Sequence, residues 1–200
     1  MAHYFENDKN LASNIQTMKF TFFDHEYTFE SDNGVFAKSG IDYGSQALLK
    51  TLIKRSELQN HFLDVGCGYG TIGLILKNHY PNAHIDMIDV NERAMALAKR
   101  NAQLNRLDVN IFESNIYEKV TCHTYTDIIT NPPIRAGKKV IYEIFEKAYD
   151  HLAEGGALWV VIRKQHGALS AVNKIKEVFG NCDIVEKDKG FFILKALKAK

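Results

Sequence analysis

The chain has 200 residues, 46% of them hydrophobic and 24% charged, with a formal net charge of +1. This composition excludes long disorder, collagen-like repeats and low-complexity character, and no apolar run approaches the ~18 residues that span a bilayer. A chain of this length buries roughly 70% of the surface it exposes when unfolded, so one compact domain can form without metal or disulfide staples.

Residues 1–10 are polar and partly acidic, so they read as neither a signal nor a transit peptide, and the expected location is the cytoplasm. Residues 19–30 alternate apolar and polar around Asp24-His25-Glu26, which predicts a β-hairpin. A helix is expected over 44–56, where Ala47, Leu48, Leu49, Leu52 and Ile53 form one stripe. From there strands and helices alternate. Strands are expected at 61–65, 84–90, 109–113, 126–130 and 157–162, and helices at 71–79, 91–105, 139–152 and 168–179. Asn91 is placed to cap the second of these helices, and Gly155-Gly156 to stop the third. Segments 182–186 and 191–197 flank Lys187-Asp188-Lys189-Gly190, a terminal antiparallel hairpin. Repeated β-α-β units need right-handed crossovers and give an α/β, Rossmann-like, doubly wound sheet that binds its ligand beyond the carboxyl ends of the strands. Cys67, Cys122 and Cys182 are widely spaced and the eight histidines form no HExxH pair, so neither a disulfide framework nor a metal site is expected.

The first core strand runs into Asp64-Val65-Gly66-Cys67-Gly68-Tyr69-Gly70. Glycines here permit φ > 0 and let a ligand approach the backbone, and the helix start beyond them favours negative charge. Asp89 follows Gly66 by 23 residues, a spacing that suits a carboxylate accepting from both hydroxyls of a ribose. A nucleoside-containing cofactor follows. Gly68-Tyr69-Gly70-Thr71-Ile72-Gly73 also satisfies the dinucleotide pattern, so the glycines leave NAD open. Two features favour S-adenosylmethionine. Asp64 would attract an ammonium but repel a pyrophosphate, and the terminal hairpin suits a seven-stranded methyltransferase sheet. The bland alternative is a structural turn with no ligand, and Asp89 alone could be a helix cap.

Asn131-Pro132-Pro133-Ile134 follows a strand directly. Two prolines in series make a rigid turn with outward carbonyls. The Asn131 side-chain oxygen and the Pro132 carbonyl can accept both hydrogens of an exocyclic –NH₂, aim its lone pair and stabilise the positive charge that grows on nitrogen. The competing reading is a rigid loop with an incidental Asn.

These motifs together make the chain resemble the class I S-adenosylmethionine-dependent methyltransferases. It is similar in particular to the RsmC-like group, which methylates guanine N2 in small-subunit (16S) ribosomal RNA. The resemblance runs through His3-Tyr4-Phe5, Gly34-Val35-Phe36, Ile41-Asp42-Tyr43-Gly44-Ser45, Asp64 to Gly70, Asp89-Val90-Asn91, Asn131 to Ile134 and Gly155-Gly156. It implies that Asp64, Gly66, Gly68 and Gly70 hold the methionine part of the cofactor and that Asp89 holds the ribose. Val90 and Ile116 would sandwich the adenine, and Asp42 and Gly44 would border the cleft. Asn131 and Pro132, with Pro133 and Ile134 completing the catalytic turn, would grip the target amine. Asn115 stands where the family commonly has Asp against the adenine amino group, and its oxygen can still accept that bond. Ile134 stands where the family often has an aromatic residue.

The resemblance implies ribosomal RNA or the small ribosomal subunit as partner. The chain has no room for the second, cofactor-free domain that some members carry, so a single domain (extension 1–56, core 57–200) or a partner would recognise the RNA. Charge agrees, because residues 1–134 carry −4 and residues 135–200 carry +5. Arg135, Lys138 and Lys139 follow the catalytic turn and are placed for phosphates, with Lys187 and Lys189 as secondary candidates. Transfer to another planar amine (adenine N6 or a protein glutamine) and a non-catalytic cofactor- or RNA-binding module are the alternatives.

Overall fold

The computed structural model describes residues 12–35, 40–55 and 59–199. The stretch 1–10 with His3-Tyr4-Phe5, and also Phe36 and Ser56, lie outside the described residues. An antiparallel pair, β1 (Gln16–Phe22) and β2 (His25–Ser31), precedes helix α1 (Tyr43–Arg55). Then follow β3 (His61–Val65), α2 (Thr71–His79), β4 (His84–Asp89), α3 (Glu92–Leu104), β5 (Asn110–Glu113) and β6 (Tyr125–Thr130). The chain ends with α4 (Lys138–His151), β7 (Leu152–Arg163), α5 (Ala168–Phe179), β8 (Asp183–Asp188) and β9 (Phe191–Leu197).

Strands β3 to β9 form one seven-stranded sheet in the order β5-β4-β3-β6-β7-β9-β8. Pairings from β5 to β7 are parallel, and β9 runs antiparallel to both neighbours. This is the doubly wound, Rossmann-like sheet with a terminal hairpin that the alternation predicts. Side chains along each strand divide by parity. Phe62, Met87, Ile129, Trp159 and Val161 pack with α1, α2 and α3, whereas Leu63, Val65, Ile128, Leu158 and Val160 pack with α4 and α5. The fully buried Trp159 donates its indole N–H to Asp127 Oδ1 at 3.0 Å, which satisfies the one polar atom that its burial would strand. No described helix is long and apolar enough to cross a membrane.

Three local expectations need correction. The first hairpin turns at Phe23-Asp24, and His25 and Glu26 already belong to β2. The last hairpin turns at Lys189-Gly190, and Lys187 and Asp188 belong to β8. Gly155-Gly156 does not stop α4, which ends at His151; both glycines lie inside β7, beside a register irregularity at Tyr125/Asp127. The reason is steric. A Cβ on Gly156 would lie 2.9 Å from Ala153 O, 3.0 Å from Tyr125 O and 3.1 Å from Thr126 O.

Two convergences have no local sequence signal. Asn101 on α3 and Asn105, the residue that caps its C-terminus one turn later, act as a surrogate strand along the outer edge of β2. Asn105 takes the N–H and C=O of Thr28 at 3.0 and 2.8 Å, and Asn101 takes those of Glu30 at 2.7 and 3.0 Å. This closes an edge that would otherwise be open to pairing, and Asn101 also reaches Tyr69 O in the glycine turn at 2.9 Å. At the amino ends of β3 and β4, donor atoms of His61, His84 and Asp86 lie within 4.8 Å of one another. Asp86 is engaged there by Asn110 at 2.9 Å and by the Tyr125 hydroxyl.

Backbone oxygens cannot move aside as a flexible side chain can. Gly156→Ala should therefore destabilise the fold by about 1–3 kcal/mol, typical of overpacking. Urea unfolding checks this; an unchanged midpoint would mean that the β6–β7 irregularity relaxes freely.

Candidate active site

The carboxyl ends of β3, β4 and β6 open into a cleft of about 940 Å³, within the size range of small-molecule sites. Its floor is the glycine turn, whose Gly66, Gly68 and Gly70 have φ of +74°, +56° and +101°. The three glycines serve different needs. A Cβ on Gly66 or Gly68 would meet nothing within 4 Å, and both residues line the cleft, so their bareness leaves room for a ligand. A Cβ on Gly70 would press on Leu74, Met87 and Ala98, so Gly70 is required by packing and by its place at the start of α2.

Two carboxylates flank the turn. Asp89 accepts from Gly68 N–H at 2.8 Å and from Asn91 N–H at 2.9 Å, one on each oxygen. Val90 N–H bonds the carboxylate as well, and of its four lone pairs at least one remains for a ribose hydroxyl. Burial pushes the Asp89 carboxyl up, and the backbone N–H donors pull it back. Asp64 is buried and does not line the cleft. Its Oδ2 accepts from Gly73 N–H at 2.9 Å, and its Oδ1 has no partner. Burial pushes this carboxyl up to about 7, against the pull of Gly73, with the nearby Asp89 charge adding to the rise.

Val90, Asn115 and Ile116 line the side of the cleft beyond Asp89. Ile116 sits at φ +54°, a conformation that L residues seldom adopt, and Ser114 Oγ secures it by donating to Ile116 O at 2.9 Å. Asn115 donates its amide N–H to Glu118 at 2.9 Å, which leaves its oxygen as the acceptor for an amino group.

Across the cleft, Thr130 ends β6 and Asn131-Pro132-Pro133 turns into a short 3-10 segment, Ile134–Ala136. Asn131 Nδ2 donates to Asp42 Oδ1 at 3.1 Å and to Ser45 Oγ at 3.0 Å. Both amide donors are thereby used, so Oδ1 remains as an acceptor. The turn closes through Ala136 N–H to Pro133 O at 2.9 Å; the Pro132 carbonyl has no partner among the described residues and is a second acceptor. Pro132, Pro133, Ile134 and Arg135 all line the cleft with Asn131 and Asp42.

Gly44 does not line it. A Cβ there would lie 2.8 Å from the Phe191 ring and 3.0 Å from Asp42 Oδ1, so Gly44 makes space for that ring. Lys138 and Lys139 are exposed in the first turn of α4, outside the lining. The sequence reading missed Tyr43, Arg163, His166 and Phe191, which line the cleft from α1 and from the β7 and β9 ends. Arg163 lies at the carboxyl end of its strand, so the strand-end rule could have flagged it. Phe191 gave no such signal, because β9 runs antiparallel and brings its amino end to this side of the sheet.

Residues 26–195 match the family model of the methyltransferase small domain. The chain belongs to that family. It is 45% identical over 198 residues to YbxB of Bacillus subtilis (strain 168), covering 98% of each chain. It is 33% identical over 193 residues to ribosomal RNA small subunit methyltransferase C of Aliivibrio salmonicida, covering 94% of this chain and 55% of that relative. The chain thus spans about half the length of the ribosomal RNA methyltransferases it matches. Among solved structures, it shares its fold with the T. thermophilus 16S rRNA N2 methyltransferase RsmC in complex with AdoMet and guanosine. The TM-score is 0.84 at 24% identity, covering 94% of this chain and 52% of that one.

The protein is an S-adenosylmethionine-dependent methyltransferase, and its residues fit that cofactor. Gly66 and Gly68 leave a bare cradle and Asp89 has acceptor capacity for a ribose, while Asp64, beneath the turn and outside the lining with one oxygen unpartnered, would act on a cofactor ammonium through its charge. Only an ionised carboxyl attracts an ammonium. With Asp64 titrating near 7, affinity for S-adenosylhomocysteine should rise about tenfold from pH 6 to pH 8. Asp64→Asn should flatten that rise. Calorimetric titration across the range is the check, and a pH-independent wild-type affinity would exclude this role for Asp64.

Proposed function

We propose that the protein methylates an exocyclic amine of RNA, guanine N2 in the small-subunit ribosomal RNA. The observation that carries this reading is the tethered Asn131 amide. Its donors are spent on Asp42 and Ser45, leaving its oxygen and the Pro132 carbonyl as two rigid acceptors on one cleft wall. An aromatic amine is a poor nucleophile because its lone pair is delocalised into the ring. Two acceptors off the ring plane hold both N–H hydrogens, favour a pyramidal nitrogen and stabilise the charge that develops there. When bound, S-adenosylmethionine supplies the activated methyl group. The chain's task is then alignment, which accounts for much of the acceleration of a bimolecular step.

The surface around the cleft suits a polyanion. Helix α4 opens with Lys138 and Lys139 and has no acidic residue in its first turn. Cations at a helix N-terminus oppose the macrodipole, so this pair costs stability that a phosphate backbone would return. Arg135 stands beside them, and none of the three is in an ion pair among the described residues. The resemblance of the sequence to ribosomal RNA methyltransferases supports the same substrate class.

The test is methyl transfer to purified small ribosomal subunits and to naked 16S RNA, followed by nucleoside analysis. The expected product is N2-methylguanosine; N6-methyladenosine or a methylated protein glutamine would replace this reading. Asn131→Ala should lower kcat by about 10²–10³ with cofactor affinity unchanged. Turnover at the wild-type rate would remove the amine-gripping role.

A further inference from the structure

The RNA reading above leaves one question open: what holds the flat ring whose amine Asn131 receives. Ile134, next to the acceptor turn, offers only aliphatic contact. Three aromatic residues besides His166 line the cleft: Tyr43, Tyr69 and Phe191. Tyr69 is buried, packs edge-on to Phe29 and donates its hydroxyl to Gly40 O at 3.2 Å. Tyr43 is held by its hydroxyl bond to Asp188 at 2.5 Å and covered by the Lys189 ammonium, 4.7 Å from the ring centroid. Phe191 is half-buried and has no polar atom of its own to be tied elsewhere, and the Arg163 guanidinium covers one face of its ring.

Its seat is nevertheless firm. The Phe191 ring edge fills the space above Gly44 and shares that space with Asp42, the carboxylate that tethers Asn131. Tyr43 braces it at 5.8 Å between centroids, with planes inclined by 40°. The Arg163 guanidinium carbon stands 4.9 Å from the ring centroid, and Arg163 is in no ion pair among the described residues. The start of β9 and the carboxyl end of β7 thus bring an aromatic ring and a guanidinium to the cleft that Asn131 also lines.

We propose that Phe191 is the stacking platform for the acceptor base, with Arg163 as its cationic partner, on a single-stranded or looped RNA segment. This rests on the RNA reading given under Proposed function. The charge layout agrees. Arg135 lines the cleft with the exposed Lys138 and Lys139 following it in sequence outside the lining, and Arg163 lines it with the exposed Lys164 next in sequence. A strand crossing between these two basic stretches keeps its phosphates on cations and turns one base inward, where a ring with a π-face accepts it.

The test uses the full chain saturated with S-adenosylhomocysteine and a short fluorescein-labelled, uridine-rich RNA with one central guanosine. The control is the same RNA with an abasic site in that position. Binding is read by anisotropy. Phe191→Leu should weaken binding of the guanosine RNA about tenfold, and Phe191→Tyr should stay within about threefold of wild type. All three proteins should bind the abasic RNA alike. Arg163→Gln should weaken binding and reduce the salt slope by about one. Calorimetry should give one S-adenosylhomocysteine affinity for wild type and the Phe191 variants, which separates stacking from misfolding. Equal binding of the guanosine RNA by wild type and Phe191→Leu, or an equal loss on both RNAs, would overturn the platform. The expected anisotropy pattern combined with a methyl mark on adenine would uphold the platform and discard guanine N2. A guanine mark with an inert Phe191→Leu would do the reverse.

Discussion

The arrangement depends on how one amide is turned. Asn131 ends β6 on the core sheet, but the groups that orient it, Asp42 and Ser45, lie just before and within α1. Without them the amide would be free to flip, and on the proposed reading a donor N–H would then face the target amine. The segment before the core is therefore part of the cleft wall that carries Asn131. It is held from two sides. Tyr43 reaches Asp188 in the last hairpin, and β2 is bonded along its edge by Asn101 of α3 and by Asn105, which caps that helix. Asn101 also bonds Tyr69 O, so the edge seal and the glycine turn share one side chain.

The site divides its charge by depth. Carboxylates lie within: Asp89 on the turn's backbone donors and Asp64 beneath it with one oxygen unused. Cations lie outside, around the mouth. A zwitterionic cofactor with a nucleoside head suits the interior, and a polyanion suits the rim. The glycines follow the same division. Gly66 and Gly68 are bare where a ligand approaches, whereas Gly44, Gly70 and Gly156 are bare because other protein atoms already occupy the space. Glycine in a motif therefore carries two meanings that spacing alone does not separate.

Much of this was legible in the chain itself. Alternating β-α periodicity, with Val-Ile-rich strands bounded by glycine and Asn-Pro-Pro, specified the doubly wound sheet and its terminal hairpin. The order of glycine turn, Asp89 and Asn131 specified the sheet end at which the cleft opens, because each of them lies at or just after the carboxyl end of a strand. These are local properties: side-chain periodicity, turn geometry and the direction of a parallel strand.

What only the tertiary structure decided are the relations between residues far apart in sequence. These include the bond from Asn131 to Asp42, the withdrawal of Asp64 beneath the turn, and the placement of Gly156 against three carbonyls rather than at a helix stop. Phe191 is the clearest case. A hydrophobic residue opening an alternating strand reads as core. It reaches the cleft because β9 runs against its neighbours and starts at the end where they finish. Local pattern fixes which way a side chain points from its own strand, and chain packing alone fixes what it meets there.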